Sequence, residues 1–289
     1  MDLTFSPKTE NLIRQVISSH QQGMSQQKYA DLVYNLLGGE LKYNLFAKLY
    51  PDYACYDMFL RLENIGSYQN YLDFPSKFNG KWYGGDYGSE VIIYHGPKRF
   101  MNCIENVNCG RKQPGVNIFN QPANNTLIGR IMKLGREGRV GREAQCGSLA
   151  VYLSYFDHAG MIWIDRENLV INRYDPYYCW SDSKNYKNQG YEEDQRVIDY
   201  ALGEFFGELL PGYRYYGNTL DMNKCIQAVK TGNRQYSDYF CQDYSILYAI
   251  RRIHGMSHEE AASDLVRGKD LVIKEIEELL RTLIYARYE

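Results

Sequence analysis

The sequence places a histidine and an aspartate where they can meet across a hairpin. His158 and Asp175 stand at the ends of a segment in which two apolar runs flank the polar tetrapeptide 165–168. This pattern predicts an antiparallel β-hairpin with its turn at 165–168. If Ile164 pairs with Leu169, the same register sets His158 opposite Asp175, about 5 Å away on one face. A carboxylate there would fix the ring tautomer and favour the protonated ring, so the pair predicts a general base with its orienting acid.

Cys241 is the cysteine best placed to serve as the nucleophile that such a base needs. It begins an apolar helical pattern that continues through Tyr244 and Tyr248. The positive end of a helix and its N–H groups favour a thiolate at that position. The same N–H groups, together with the side-chain amide of Gln235 six residues upstream, would hold an oxyanion. Each of the other six cysteines lacks an amide side chain at that spacing.

The order of these residues resembles a known family. His158, Asp175, Gln235 and Cys241 follow one another as base, acid, oxyanion-hole amide and nucleophile do in the cysteine peptidase superfamily of ubiquitin-like-protein proteases and the adenovirus protease. The resemblance covers roughly residues 89–255. Within this superfamily, the chain resembles the members encoded by large DNA viruses. The motifs that carry this narrower resemblance are His158-Ala159, Ile164-Asp165, Arg173-Tyr174-Asp175-Pro176 and Phe240-Cys241-Gln242-x-Tyr244-Ser245-x-x-Tyr248.

The resemblance implies a fold and an activity. The fold would be α+β, a papain-like cysteine peptidase domain with the circularly permuted catalytic order His-Asp-Gln-Cys. The activity would be hydrolysis of peptide or isopeptide bonds in a protein substrate, without a cofactor or metal. A viral maturation protease, or one that removes ubiquitin-like modifiers, would work in the host cytoplasm, in the virion or in both.

Two residues depart from the family pattern. Ala159 stands where the family commonly has Trp directly after the histidine, and Gln242 stands where it has Gly directly after the cysteine. The resemblance implies a cleft that selects Gly near the scissile bond. With the small Ala159 we expect a more open cleft roof and looser selection, and the Gln242 side chain would lie beside the approaching acyl group.

Periodicity divides the chain into three stretches. Residues 1–64 predict a helical N-terminal region of four helices, the last around Met58 to Leu62. Residues 65–88, rich in Gly, Tyr, Asn and Ser, predict a linker or loop. Residues 89–289 predict strands followed by helices and would form the peptidase domain. The predicted strands are 91–94, 116–119, 149–156, 161–164 and 169–174, and the main predicted helices are 197–210, 241–254 and 269–286.

Composition excludes several classes of protein. With 44% hydrophobic and 24% charged residues among 289, the chain is neither disordered nor fibrous. The net charge of −2 gives no bulk attraction to nucleic acid or membrane. Because the sequence shows no leader pattern and no apolar run near the roughly 18 residues of a spanning helix, we expect a protein that is neither secreted nor membrane-spanning. Seven cysteines without a C-x-x-C motif predict reduced thiols.

Other sites and functions remain open at this stage. A catalytically inactive structural or virion protein that keeps the fold is the main alternative to an enzyme. A Gly-containing basic segment predicts a solvated loop or, as the alternative, a weak, salt-dependent contact with nucleic acid or an acidic partner. It holds Arg130, Lys133, Arg136, Arg139 and Arg142. Cys146 lies too close before His158 for a papain-type nucleophile. Two further sets have poor metal-ligand spacing, namely His254 with His258, and His95 with Cys103 and Cys109.

Overall fold

Helical and strand patterns alternate with turns along this chain, and the result is a mixed α and β protein. The computed structural model describes residues 5–19, 24–50, 53, 56–62, 79–84, 90–97, 148–155, 158–177, 198–199, 202–203, 206–207, 210–218, 226–227, 239–267 and 269–287. The helices are α1 (Pro7–Ser18), α2 (Gln26–Leu36), α3 (Lys42–Leu49), α4 (Cys241–Ile253), α5 (His258–Arg267) and α6 (Lys269–Ala286). The strands are β1 (Tyr56–Leu62), β2 (Asn79–Gly84), β3 (Glu90–Pro97), β4 (Ser148–Tyr155), β5 (His158–Asp165), β6 (Val170–Tyr174) and β7 (Arg214–Tyr216).

Serine side chains begin three of the helices. The Ser6 hydroxyl accepts from the amide of Thr9 at 3.2 Å at the start of α1. Ser25 does the same for α2. At α5 the capping box is complete, because the Ser257 amide donates to Glu260 at 2.9 Å and the Glu260 amide donates back to the Ser257 hydroxyl at 3.3 Å.

The strands form one seven-stranded mixed sheet in the order β2-β3-β1-β4-β5-β6-β7. Strand β1 runs parallel to both β3 and β4. The next pairs, β4 with β5 and β5 with β6, are antiparallel. Strand β5, which begins at His158, is therefore an interior strand, and its six central residues are buried.

The predicted hairpin exists, but its predicted register was wrong by two residues. Ile164 pairs with Ile171, not with Leu169. The turn comprises residues 166–169 and ends at Leu169, whose φ of 52° lies in the left-handed region. Asp165 fixes this turn, since its carboxylate accepts from the Asn168 amide at 3.0 Å. Because side chains alternate with period two, a shift of two leaves every side chain on its predicted face.

Both faces of the sheet around β5 are buried. One face shares a core with the helices at both ends of the chain, including Leu45 of α3, Tyr248 of α4 and Leu280 of α6. The sheet contributes Ala150, Tyr152, Ala159, Met161, Trp163 and Tyr174 to this core. The opposite face presents Leu149, Val151, Leu153, Ile162, Ile164 and Ile171, all buried.

The N-terminal region differs from its prediction in one element. Residues 56–62 form strand β1, so the predicted helix around Met58 to Leu62 was wrong. A short apolar run is compatible with either state, and pairing with two neighbouring strands decides for the strand. The predicted linker, 65–88, contains strand β2. The division into 1–64, 65–88 and 89–289 as separate units stays a prediction.

The remaining predicted elements are described to different extents. Strands β3, β4, β5 and β6 confirm four of the five predicted strands, and α4 and α6 confirm two of the main predicted helices. The predicted strand 116–119 lies outside the described residues. Of the predicted helix 197–210, the structure describes helical residues at 198–199, 202–203 and 206–207.

Candidate active site

His158 and Asp175 meet at the end of the hairpin. The Nε2 atom of His158 lies 2.8 Å from Oδ1 of Asp175, so the predicted contact is confirmed. The Asp175 side chain is fully buried, whereas the His158 side chain is 14% exposed. The same carboxylate oxygen also accepts from the backbone amide of Tyr177 at 2.9 Å. The Tyr177 amide thus helps to hold Asp175 in the orientation that receives the imidazole.

A buried arginine, to which the sequence assigned no role of its own, holds the second oxygen of Asp175. Arg173 is fully buried, and its Nη1 lies 3.4 Å from Asp175 Oδ2. The rest of the guanidinium donates to Asp199, at 2.7 Å from Nε and 3.1 Å from Nη2. The spacing of Arg173 and Asp175 carries a signal that could have identified the pair, because residues i and i+2 of a strand share one face.

Asp199 is itself held from three sides. Besides Arg173, the Tyr215 hydroxyl donates to it at 2.8 Å and the Asn218 amide at 3.2 Å. The carboxylate also fills the space beside Gly217, where an added Cβ would come within 2.4 Å of it. The imidazole is therefore the outer end of a continuous network that runs through Asp175 and Arg173 to Asp199.

This network changes the expected charge of His158. Burial, with the nearby Arg173 guanidinium as the second cause, lowers the pKa of His158 from 6.5 to about 3. The expectation that Asp175 would favour the protonated ring was therefore wrong, because Arg173 offsets the carboxylate and the site is poorly solvated. Since a carboxylate can only accept, the contact with Asp175 puts the proton of the neutral ring on Nε2 and leaves the lone pair on Nδ1.

Helix α4 lies along β5 and is fixed at two points. Near its start, the Ser245 hydroxyl donates to the carbonyl of Ala159 at 3.4 Å. Near its end, Arg252 lies 3.5 Å from Asp165, with its guanidinium 5.4 Å from the centre of the Trp163 ring. The helix and the strand therefore run in the same direction.

These two points place the helix start at the same end of the sheet as the histidine. Cys241 lies about one helical turn, roughly 6 Å, before Ser245 along the axis. His158 lies one residue, roughly 3.3 Å, before Ala159 along β5. The start of α4 and the start of β5 thus come together at the same end of the sheet, where the Cys241 side chain is partly exposed.

The start of α4 differs from that of the Ser-capped helices. Its N-cap residue is Phe240, which makes no side-chain capping bond. The Phe240 ring is buried and packs edge-on against Tyr244. No side-chain oxygen of the N-cap residue therefore competes for the first-turn amides, which is what binding of an oxyanion at that position requires.

The two departures from the family pattern lie in different environments. Gln242, the second residue of α4, is exposed. Ala159 is only 2% exposed and belongs to the core between β5 and α4. A small residue at 159 therefore lets the helix approach the strand. This burial gives no support to a more open cleft roof, and looser substrate selection stays a prediction.

Residues that carry the family resemblance contact one another. The rings of Tyr174 and Tyr248 stack with centroids 4.3 Å apart and an interplanar angle of 6°. Ser245 and Ala159 are joined by the hydrogen bond described above. These contacts attach the hairpin with His158 to the helix that begins at Cys241.

The other predicted residues fall outside this centre. Gln235 lies outside the described residues, and so do Cys146 and the basic group from Arg130 to Arg142, whose contact with nucleic acid stays a prediction. His254 is exposed, whereas Nδ1 of His258 lies 2.7 Å from the Tyr248 hydroxyl. Within the described ranges, no three His, Cys, Asp or Glu side chains form a group that could hold a metal. None of the helices described has both the length and the apolar character that crossing a bilayer requires.

Comparison with known proteins adds nothing to this geometry. No protein-family model matches the chain, and neither a curated protein nor a solved structure matches it. Only the residues and contacts of this chain therefore bear on its function.

Proposed function

We propose that the protein is a cysteine peptidase with a papain-like domain, in which His158, Asp175, Gln235 and Cys241 act in that chain order. The observation that supports this best is the 2.8 Å contact between His158 and Asp175 at the end of the sheet where α4 begins with Cys241. A buried imidazole, its orienting carboxylate and a cysteine at a helix start are the parts that thiol acyl transfer uses.

In the proposed reaction His158 transfers one proton in each of two stages, formation and hydrolysis of the acyl-enzyme. Its Nδ1 takes the proton from the Cys241 thiol while the sulfur attacks the substrate carbonyl carbon. The oxyanion is held by first-turn amides of α4 and by Gln235. The carbon–nitrogen bond then breaks, and His158 returns the proton to the leaving amine. Water, deprotonated by His158, attacks the acyl-enzyme, and the proton passes back to the sulfur as the acid leaves.

The low pKa of His158 determines how this reaction starts. At neutral pH the ring is uncharged, so the resting site holds a neutral base and not an imidazolium. Asp175 then stabilises the positive ring that forms during the attack. This stabilisation is greater in the transition state than in the resting state, and only such a difference accelerates the chemical step.

The proposed substrate is a protein. The family resemblance favours a viral precursor or a conjugate of a ubiquitin-like modifier, cleaved in the host cytoplasm or the virion. A catalytically inactive virion protein that keeps the fold is the alternative, and the two differ in the reactivity of one thiol.

The test is site-resolved alkylation of the full-length protein with iodoacetamide at pH 7, read by mass spectrometry. We expect Cys241 to react at least tenfold faster than the other six cysteines, and His158→Ala to remove that advantage. Cleavage of a peptide library by the wild type, with Cys241→Ala as the blank, then gives the substrate class. A Cys241 that reacts no faster than the other cysteines, in a folded protein that cleaves nothing, would establish the inactive alternative.

A further inference from the structure

A buried ion pair joins the N-terminal helices to the first turn of α4. The Lys42 ammonium donates to both oxygens of Asp243, at 2.7 and 2.6 Å, and the two side chains are 2% and 0% exposed. The Tyr29 hydroxyl donates to the same carboxylate at 3.3 Å and accepts from Lys42 at 3.4 Å. Asp243 lies two residues after Cys241, so this cluster of Lys42, Tyr29 and Asp243 adjoins the proposed nucleophile.

The Tyr29 ring also packs against the two residues that precede Cys241. Its centroid lies 5.5 Å from that of Tyr239 and 5.8 Å from that of Phe240. Residues from α2 and α3 thus contact the chain on both sides of Cys241, at 239–240 and at 243. Movement of the N-terminal helices would move the start of α4 with them.

A gain in folding stability does not by itself explain a buried ion pair such as that of Lys42 and Asp243. Desolvation of two buried charges offsets most of their attraction, and well-packed apolar residues in their place are often as stable. The pair of Lys48 and Glu40, which also involves α3, has side chains 47% and 34% exposed. The place of the buried pair, in the first turn of α4, points instead to a role at that turn.

The charge of Asp243 bears directly on a thiolate at Cys241. An unpaired carboxylate two residues away would oppose a negative sulfur, whereas the Lys42 ammonium cancels that charge. The titratable and charged groups described around this helix start are Asp243, Tyr239 and Tyr244 on the chain around Cys241, Lys42 from α3 and Tyr29 from α2. His158 begins β5 at the same end of the sheet.

We propose that Lys42 is a positioning residue for Cys241, which keeps the first turn of α4 both fixed and electrically neutral. The inference rests on the proposed role of Cys241 as the nucleophile. It makes the N-terminal helices part of the unit that carries out the reaction, and the two charges of the pair act on the thiol in opposite directions.

The experiment follows the rate of Cys241 alkylation by iodoacetamide against pH in full-length variants. We expect Lys42→Met to raise the midpoint of the rate profile by about half a pH unit or more, which lowers the thiolate fraction at pH 7 about threefold. Asp243→Asn leaves an uncancelled ammonium and lowers the midpoint. The control Lys48→Met, on the same helix, leaves it unchanged.

A double variant separates charge from folding. Lys42→Met with Asp243→Leu removes both charges and keeps apolar packing, so its midpoint should return toward the wild-type value. If Lys42→Met alone does not fold, Asp243→Asn against the double variant makes the same comparison. If folded Lys42→Met and Asp243→Asn proteins shift the midpoint of the alkylation profile in the same direction, or not at all, the inference is overturned. Failure of the proposed function is a different result, namely a wild-type Cys241 without enhanced reactivity.

Discussion

His158 and Asp175 meet diagonally across β5 and β6. Met161 pairs with Tyr174, and continuing this register by one residue sets Asp175 beside Gly160. Gly160 has no side chain, so nothing from that position stands between the His158 ring and the carboxylate 2.8 Å from it. The diagonal contact leaves the Nδ1 edge of the ring for a second partner, and the proposed mechanism assigns that edge to the thiol.

Asp175→Asn should lower kcat by about three to four orders of magnitude while the protein stays folded, because an amide no longer enforces the tautomer or stabilises the positive ring. Peptide cleavage at saturating substrate measures kcat, and the near-UV circular dichroism spectrum shows whether the protein is folded. Glu167→Gln is the matched control, since it removes an exposed carboxylate from the same hairpin. Full activity in a folded Asp175→Asn protein would assign the orienting role to another group.

The stability of the protein should fall below pH 6.5 in a way that depends on His158. Its pKa is lowered to about 3 in the folded state, so the unfolded chain binds the extra proton between pH 6.5 and pH 3. The free energy of unfolding therefore falls as the pH drops through this window, by up to about 1.4 kcal/mol per pH unit from this group.

Urea unfolding at several pH values measures this slope. His158→Gln, whose amide can still donate to Asp175, should flatten the slope relative to the wild type. His254→Gln replaces an exposed histidine and serves as the control. Equal pH slopes for the wild type and His158→Gln would show that the folded ring titrates normally.

Gly217→Ala should disrupt the anchor of Arg173. An added Cβ would come within 2.4 Å of the Asp199 carboxylate, so that carboxylate must move away from the guanidinium. Loss of a partner from a buried charge destabilises the fold, here by up to roughly 3 kcal/mol, and a loosened Arg173 should also reduce peptide cleavage.

Gly207→Ala gives the matched comparison for this substitution. Among the described residues, apart from the chain neighbours and the helix backbone, no atom lies within 4 Å of an added Cβ at Gly207, which is an exposed helical position. The substitution there should be neutral or slightly stabilising. Denaturant midpoints that are unchanged for both variants would mean that Asp199 does not depend on the space beside Gly217.

Ser245→Ala should weaken the attachment of α4 to β5 near Cys241. The lost hydrogen bond to Ala159 is expected to cost about 1 kcal/mol of stability and to slow alkylation of Cys241 several-fold. Ser257→Ala removes the capping box of α5 at a similar cost and should leave the alkylation rate unchanged. Equal effects of the two substitutions on the rate would argue that the Ser245 contact does not position the thiol.

Local signals in the sequence determined the parts of the fold that depend on neighbouring residues. Ser6 and Ser257 identify helix starts because a capping hydroxyl and the amides it accepts from lie within three residues. The contact of His158 with Asp175 was also predictable, even with the wrong register, because an error of two residues preserves the face of every side chain.

Contacts between distant parts of the chain were decided only by the tertiary structure. The run around Met58 becomes strand β1 because β3 and β4 supply pairing partners. Arg173 finds Asp199 26 residues later, and Lys42 finds Asp243 201 residues later, distances over which no periodicity in the sequence operates.

The charge state of His158 also depends partly on the local sequence and partly on the tertiary structure. The sequence determined that an imidazole and a carboxylate would meet, and a carboxylate alone favours the protonated ring. The tertiary structure removed water from the site and added the Arg173 guanidinium, and together these lower the pKa of the ring. Burial and long-range charge are properties of the assembled chain, because each depends on how many groups surround an atom and not on which residues precede it.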